Sequence, residues 1–326
     1  MKTMKDVALQ AGVSITTVSH VINKTRHVSK ETKEAVLQAI KELNYCASRH
    51  KANGGKLISI GVILADARED YYTAMIKAIE SVAADYGISI IFCDSEMDSE
   101  KEEKNIVILL ERDVRGLLLA PVEADHIPQI LQRLSIPLVL IDRQYESHKF
   151  LFVGINNFRS SYLGTQYLFE KGCKYIGFIG YSGSVYTIKQ RILGYKAALV
   201  ELQESAVPQV LSLSYHKEDS YPLIKRFIGD GRFDGLVCAT SSICYEVIEV
   251  LEHLAEEIQK RLKIISYDDN RWLDYLKYPV SVISQPVAEI GNAALENLLQ
   301  MIGQTYSSCE VKRELLFDIS IIDRIK

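Results

Sequence analysis

The stretch MKDVALQAGVSITTVSHVIN, residues 4–23, constrains the fold more than any other part of the chain. Met4, Val7, Ala8 and Ala11 place small or apolar groups at helical spacing, and Gly12 then breaks the helix. Ser14 is a good N-cap, with Val18, Val21 and Ile22 forming the apolar stripe of a second short helix. Two short helices joined by a tight turn make a helix-turn-helix, whose second helix fits the major groove of DNA. Its outward positions, Ile15, Thr16, Thr17, Ser19 and His20, are short and polar or able to meet a thymine methyl, as a groove-reading face requires. With Ser14, Asn23 and Arg49 they are the candidate DNA contacts. A helical hairpin with a merely solvated face is the alternative.

Charge weakens that alternative. Residues 1–56 carry ten Lys and Arg against four acids, a balance of +6, whereas the whole chain has a formal charge of −4. The remainder therefore sums to −10. A basic module on an acidic body puts nucleic-acid affinity at one end, since phosphate contacts depend on the field within about 8 Å at physiological salt. A third helix is expected over Lys30–Leu43, capped by Ser29, with Val36, Leu37, Ile40 and Leu43 closing a three-helix core. CASRHKANGGKL, residues 46–57, has two adjacent glycines and no apolar periodicity, and reads as a linker.

The run VSHVINKTRHVS followed by KETKEAVLQAIKELNY closely resembles the lactose-repressor (LacI/GalR) family of bacterial transcription regulators, in wording nearest its purine- and ribose-repressor branches. The resemblance continues more loosely to the C-terminus. It implies a hinge in the linker that folds on the operator and inserts a leucine into the minor groove. This chain departs from that pattern: Ala47 stands where the family usually has proline, and no leucine occurs before Leu57. Arg49 and Lys51 could still meet phosphates.

From residue 58 short apolar runs alternate with amphipathic segments. The runs fall at 58–64, 87–93, 114–120, 136–142, 175–180, 233–239 and 262–268, with a further strand at 275–283. They read as parallel strands buried on both faces. The segments Tyr71–Tyr86, Phe158–Lys171, Lys189–Glu204, Ser242–Glu257 and Val287–Met301 read as helices. The expected fold is α/β: a three-helix helix-turn-helix headpiece (1–45), a hinge (46–57) and two doubly wound parallel-sheet lobes. The resemblance implies a periplasmic-binding-protein-like clam, with lobe 1 over 58–156 plus about 284–313 and lobe 2 over 157–283.

In open α/β sheets ligands sit beyond the carboxyl ends of strands. Asp66, Arg68, Glu69, Asp70, Asp142, Arg143, Tyr181, Ser182, Asp268 and Asp269 all follow expected strands. The resemblance selects an effector set of Tyr71, Tyr72, Arg191, Tyr215, Thr240 and Asp268. Aromatic faces would stack on a ring, the arginine fork would take an acceptor, and the aspartate would take hydroxyls or amines. Sugar-binding members usually carry Asn-Asp where this chain reads Cys238-Ala239-Thr240-Ser241, and the hydroxyls there suit a phosphorylated or less hydroxylated effector.

Six scattered cysteines lack metal or disulfide spacing, and the seven histidines lack convergent partners. GFIGYSG, residues 177–183, mimics a dinucleotide turn, but its glycines are wrongly spaced and no ribose-binding acid follows. No signal region or membrane-length apolar run is present, which argues against a stand-alone exported solute receptor. The expectation is a cytoplasmic homodimeric repressor without enzymatic activity, metal or cofactor. It binds double-stranded operator DNA under control of a small effector, a sugar or sugar phosphate; a regulator corepressed by a purine or a protein is the alternative.

Overall fold

The computed structural model describes residues 4–15, 17–18, 21, 28–42, 58–146, 149–183, 185–202, 207–215, 220–303 and 314–325. They form two compact units, 1–57 and 58–326.

In the first unit, helices span Met4–Gln10 and Lys30–Glu42, and Ile15, Thr17, Val18 and Val21 are helical. Val7, Ala8, Val18, Val21, Val36 and Ala39 bury one another in a small core, with Ala11, Val13, Val28 and Ile40 against it. Gly12 makes the turn at φ 66°, a conformation glycine adopts without steric penalty. Leu37 departs from the expected stripe: it is 50% exposed, because Val36, Ala39 and Ile40 already fill the inward face. Leu43 and Ile22 lie outside the described residues, as does the linker.

The second unit holds two six-stranded sheets. The first comprises β1 (Ser59–Leu64), β2 (Ser89–Asp94), β3 (Leu117–Leu119), β4 (Leu138–Ile141), β5 (Leu151–Ile155) and β11 (Glu314–Phe317), in the order β11-β5-β4-β3-β1-β2. The second comprises β6 (Ile176–Tyr181), β7 (Gln209–Leu213), β8 (Gly235–Cys238), β9 (Lys263–Tyr267), β10 (Val280–Ser284) and β12 (Ser320–Ile322), in the order β12-β10-β9-β8-β6-β7. Every pairing is parallel except that of β12 with β10. The central strands are buried along their length, and their Val, Ile and Leu content follows from having helices on both faces.

Strand for strand the two orders match, β4 in the first sheet corresponding to β9 in the second. The chain passes between the sheets at β5 to β6, after β10, and between β11 and β12. The C-terminal return thus extends past residue 313, giving one strand to each sheet. Helix Val287–Gly303, entered from the second sheet, packs on the first lobe's helix Asp70–Asp85: a Cβ at Gly291 would lie 3.2 Å from Ala78 Cβ. In the second lobe, helices Asn157–Glu170 and Tyr186–Leu202 touch so closely that a Cβ at Gly194 would sit 2.1 Å from the Phe158 carbonyl oxygen.

Candidate functional site

The carboxyl ends of both sheets border one cavity, lined from the first lobe by Glu69, Tyr71, Tyr72, Asp142 and Arg143. The second lobe contributes Tyr181, Arg191, Tyr215, Thr240 and Asp268 among others, and Gln285 stands where the chain crosses back. About 450 Å³ of space lies between these side chains, mouth included.

All six residues of the expected effector set reach this cavity. Tyr71 and Tyr72 begin helix Asp70–Asp85 and meet edge-on, ring centroids 5.5 Å apart. The Tyr72 hydroxyl donates to Asp142 Oδ2 at 2.6 Å, whereas the buried Tyr71 hydroxyl has no partner. Arg191 is 4% exposed and firmly held. Its Nε donates to Asn157 Oδ1 at 2.8 Å, one Nη donates to the Ala239 carbonyl at 2.6 Å, and the guanidinium lies 3.5 Å from the Tyr267 ring centroid. Two anchors and a stacking plane fix the fork and leave its outer donors for an acceptor in the cleft. The Tyr215 ring meets that of Tyr181 at a tilt of 51°, with centroids 4.3 Å apart.

Asp142 and Asp268 end the corresponding strands β4 and β9, at φ 62° and 65°. Left-handed backbone is costly for most residues and tolerable for aspartate, whose short polar side chain can bond locally. Asp268 Oδ1 accepts from Gln285 Nε2 at 2.9 Å. Burial raises the Asp268 carboxyl to about 7, against the pull of Arg191 and Gln285 and with help from the facing Asp142 and Glu69. Arg143 Nη1 points at Met97 Sδ, 3.1 Å away, and its Nε lies 3.4 Å from Asp142.

Thr240 lines the cavity, but its hydroxyl oxygen caps helix Ser241–Leu251 by accepting from the Ile243 amide at 3.2 Å. It is therefore a helix-forming residue first, with limited capacity for a ligand. Glu69, Asp142, Arg143 and Tyr181 stand among the strand-end polar residues of the sequence but outside the expected effector set. Gln285 carries no strand-end signal of its own beyond the Pro286 that stops β10.

Of the expected DNA contacts, Ser14, Ile15 and Thr17 are described. The Ser14 hydroxyl accepts from the Thr17 amide at 3.0 Å, which makes it the N-cap, and Ile15 is 47% exposed. Thr16, Ser19, His20, Asn23 and Arg49 lie outside the described residues. Among the described residues no cluster of His, Cys, Asp and Glu could hold a metal ion, and no helix is long and apolar enough to cross a membrane.

A basic helix-turn-helix ahead of a two-lobed α/β unit is an arrangement found in known proteins. Residues 60–305 match the periplasmic binding protein domain, and residues 3–48 match the bacterial regulatory proteins of the lacI family. The chain is 32% identical to the HTH-type transcriptional regulator RegA of Clostridium saccharobutylicum, over 92% of either chain. It is also 32% identical to the HTH-type transcriptional repressor PurR of Haemophilus influenzae (strain PittEE), over 98% of this chain and 99% of that one. In fold it matches the lac repressor dimer bound to operator and an anti-inducer, with a TM-score of 0.68, 22% identity, and coverage of 99% of this chain and 98% of that one. The headpiece match, the lobe match and full-length relatives at this identity agree: the chain belongs to the lacI family of bacterial regulatory proteins.

Proposed function

We propose that the chain is a cytoplasmic repressor in which residues 1–45 read an operator, residues 46–57 form the linker, and the two lobes respond to a small effector. One observation supports the effector role above the rest: Tyr71, Tyr72, Arg191, Tyr215, Thr240 and Asp268, drawn from both lobes, converge on one cavity with unsatisfied polar groups. Its hydroxyl, carboxylate and guanidinium content is the chemistry for a sugar or heterocycle, not for bond cleavage, and we assign the chain no catalytic role. Ile15, Thr16 and His20 would set sequence preference from the recognition helix, with Ser14, Thr17, Ser19, Asn23 and Arg49 positioning it.

A single short helix reads too few base pairs for useful specificity, so two chains must act on two half-sites. The lac repressor structure is a dimer on its operator, and we take the same arrangement for this chain. A purine or protein corepressor is the second reading, favoured by the likeness to PurR.

The test compares the full chain with a fragment beginning at Ile58 in a DNA titration over a salt series. The full chain should bind with an affinity falling steeply from low to physiological salt, and the fragment should not bind. Equal binding by both would refute the assignment of DNA affinity to the headpiece. Effector class is read from unfolding midpoints in the presence of sugars, sugar phosphates and purines.

A further inference from the structure

Glu69 occupies the N-cap of helix Asp70–Asp85, yet its side chain makes no capping bond to that helix. It reaches across the cleft. Its carboxylate accepts from the Ser242 hydroxyl, and the Ser241 hydroxyl lies at 3.5 Å. These serines open helix Ser241–Leu251 of the other lobe, where the positive end of the helix dipole and free donors favour an anion. Ser241 also ends the stretch 238–241 where the family resemblance puts Asn-Asp in sugar-binding members.

The cavity wall holds three carboxylates (Glu69, Asp142, Asp268) against two guanidiniums (Arg143, Arg191), a balance of −1 with all ionised. Both arginines have partners within the protein. The Tyr71 hydroxyl and Gln285 Oε1, on side chains more than nine-tenths buried, remain without partners and line the same space. They offer one donor and one acceptor to a ligand, with no added positive charge.

We propose that Glu69 is the specificity-determining residue of this cleft: it serves as the protein's own anion at the helix terminus, so the site takes an uncharged or cationic hydroxyl- or amine-bearing ring and excludes one carrying phosphate. The proposal rests on the cleft being the effector site and narrows the sugar and sugar-phosphate alternatives to the former. Burial already pushes the Glu69 carboxyl above its ordinary range, opposed by the Ser242 hydrogen bond and Arg143 and reinforced by Asp66 and Asp142. A phosphate would add charge where charge is already disfavoured. With Glu69 neutralised, the wall balances to zero and the serine hydroxyls are released.

The experiment measures unfolding midpoints of the full-length wild type, Glu69→Gln and Glu69→Ala, titrated with inorganic phosphate and glucose 6-phosphate at constant ionic strength. Glutamine keeps the side-chain volume if alanine impairs folding. The wild type should not respond, and the variants should bind either anion at least about tenfold more tightly. Ser242→Ala combined with Glu69→Gln should cancel most of the gain. An anion response in the wild type equal to that of the variants would overturn the proposal. So would its absence from all proteins, because Glu69 would then not be what excludes the anion. Operator binding is measured on the same preparations without phosphate; its failure in the wild type would count against the repressor reading and leave the midpoints to decide the role of Glu69.

Discussion

Replacing Asp268 with asparagine should stabilise the protein, and by an amount that depends on pH. The carboxyl titrates at about 7 in the fold against 3.8 ordinarily, with burial as the main cause. The folded protein therefore holds this proton more tightly than the unfolded chain does. The associated stability is fully present below pH ~4 and is lost as pH rises through about 7. Three units at about 1.4 kcal/mol each give a ceiling near ~4 kcal/mol. Asp268 keeps part of its surface open to the cleft, and solvent screening reduces this to about 2–3 kcal/mol. Asparagine cannot ionise, accepts the Gln285 hydrogen bond through the same oxygen, and tolerates the left-handed backbone. Asp268→Asn should thus match the wild type near pH 4 and exceed it above pH 7, by roughly 4–8 °C in midpoint for a unit of this size. The assay is thermal unfolding of both proteins from pH 4 to 8 at fixed ionic strength. A difference that stays flat across that range, or that favours the wild type above pH 7, would show that the aspartate is held ionised by Arg191 and refute the argument.

Other outcomes follow from single contacts. Arg191→Ala should abolish the effector response and also cost about 2–4 kcal/mol of stability, because Asn157 Oδ1 and the Ala239 carbonyl lose a buried donor; Arg191→Met, which keeps the stem over Tyr267, should recover part of the stability and none of the response. Gly194→Ala forces a methyl to 2.1 Å from the Phe158 carbonyl oxygen, and should lower stability by at least about 2 kcal/mol in denaturant titration or prevent folding, while Gly303→Ala, with open space around it, should cost far less. Thr16→Ala or His20→Ala should lose about 1–3 kcal/mol on the preferred operator and much less on random DNA; a uniform loss would make them positioning residues only.

The fold was legible wherever a residue's neighbours along the chain determine its environment. Runs such as GLLLA and PLVLI are buried on both faces by helices, and each became a central strand. Position in the sheet did not decide this alone: the edge strand β2 coincides with the run at 87–93, whereas β5, buried along its length, lies in none of the expected runs. In β7 only Leu213 is buried, and β11 and β12 each expose their first residue, so QVLSL, ELLF and SII carry too little apolar signal. Ser14 and Ser29 were readable as caps because a hydroxyl three residues before an amide is a local relation. The cleft divides the same way. Asp142 and Asp268 can be placed at strand ends from sequence, but the reach of Glu69 to Ser242 spans 173 positions and depends on how two lobes face one another. Capping likewise hid the Thr240 hydroxyl's commitment to the Ile243 amide behind its apparent availability.

Matching strand orders explain why such a cleft can act as a switch. Two sheets of the same order facing one another bring equivalent strand ends together, so Asp142 after β4 and Asp268 after β9 confront each other across the space, and the charge of Asp142 adds to the burial that raises the Asp268 carboxyl. Contacts that draw the lobes together already exist: Gln144 to Tyr186 at 2.8 Å, and Lys189 to Asp125 and Glu146 at 2.6 and 3.0 Å. Lys189 is partly exposed, so its pairs contribute little, well under about 1 kcal/mol each. On the effector reading proposed above, such weak clasps do not by themselves hold the lobes together. A ligand touching both lobes gains all its contacts only when they are together, and moving such an equilibrium from 1:99 to 99:1 requires about 5.5 kcal/mol of differential binding. Two or three charge-assisted hydrogen bonds, each about 1.5–3 kcal/mol, supply that amount. On the same effector reading, Arg191 and Asp268 on one side, with Tyr71 and Asp142 on the other, would provide them.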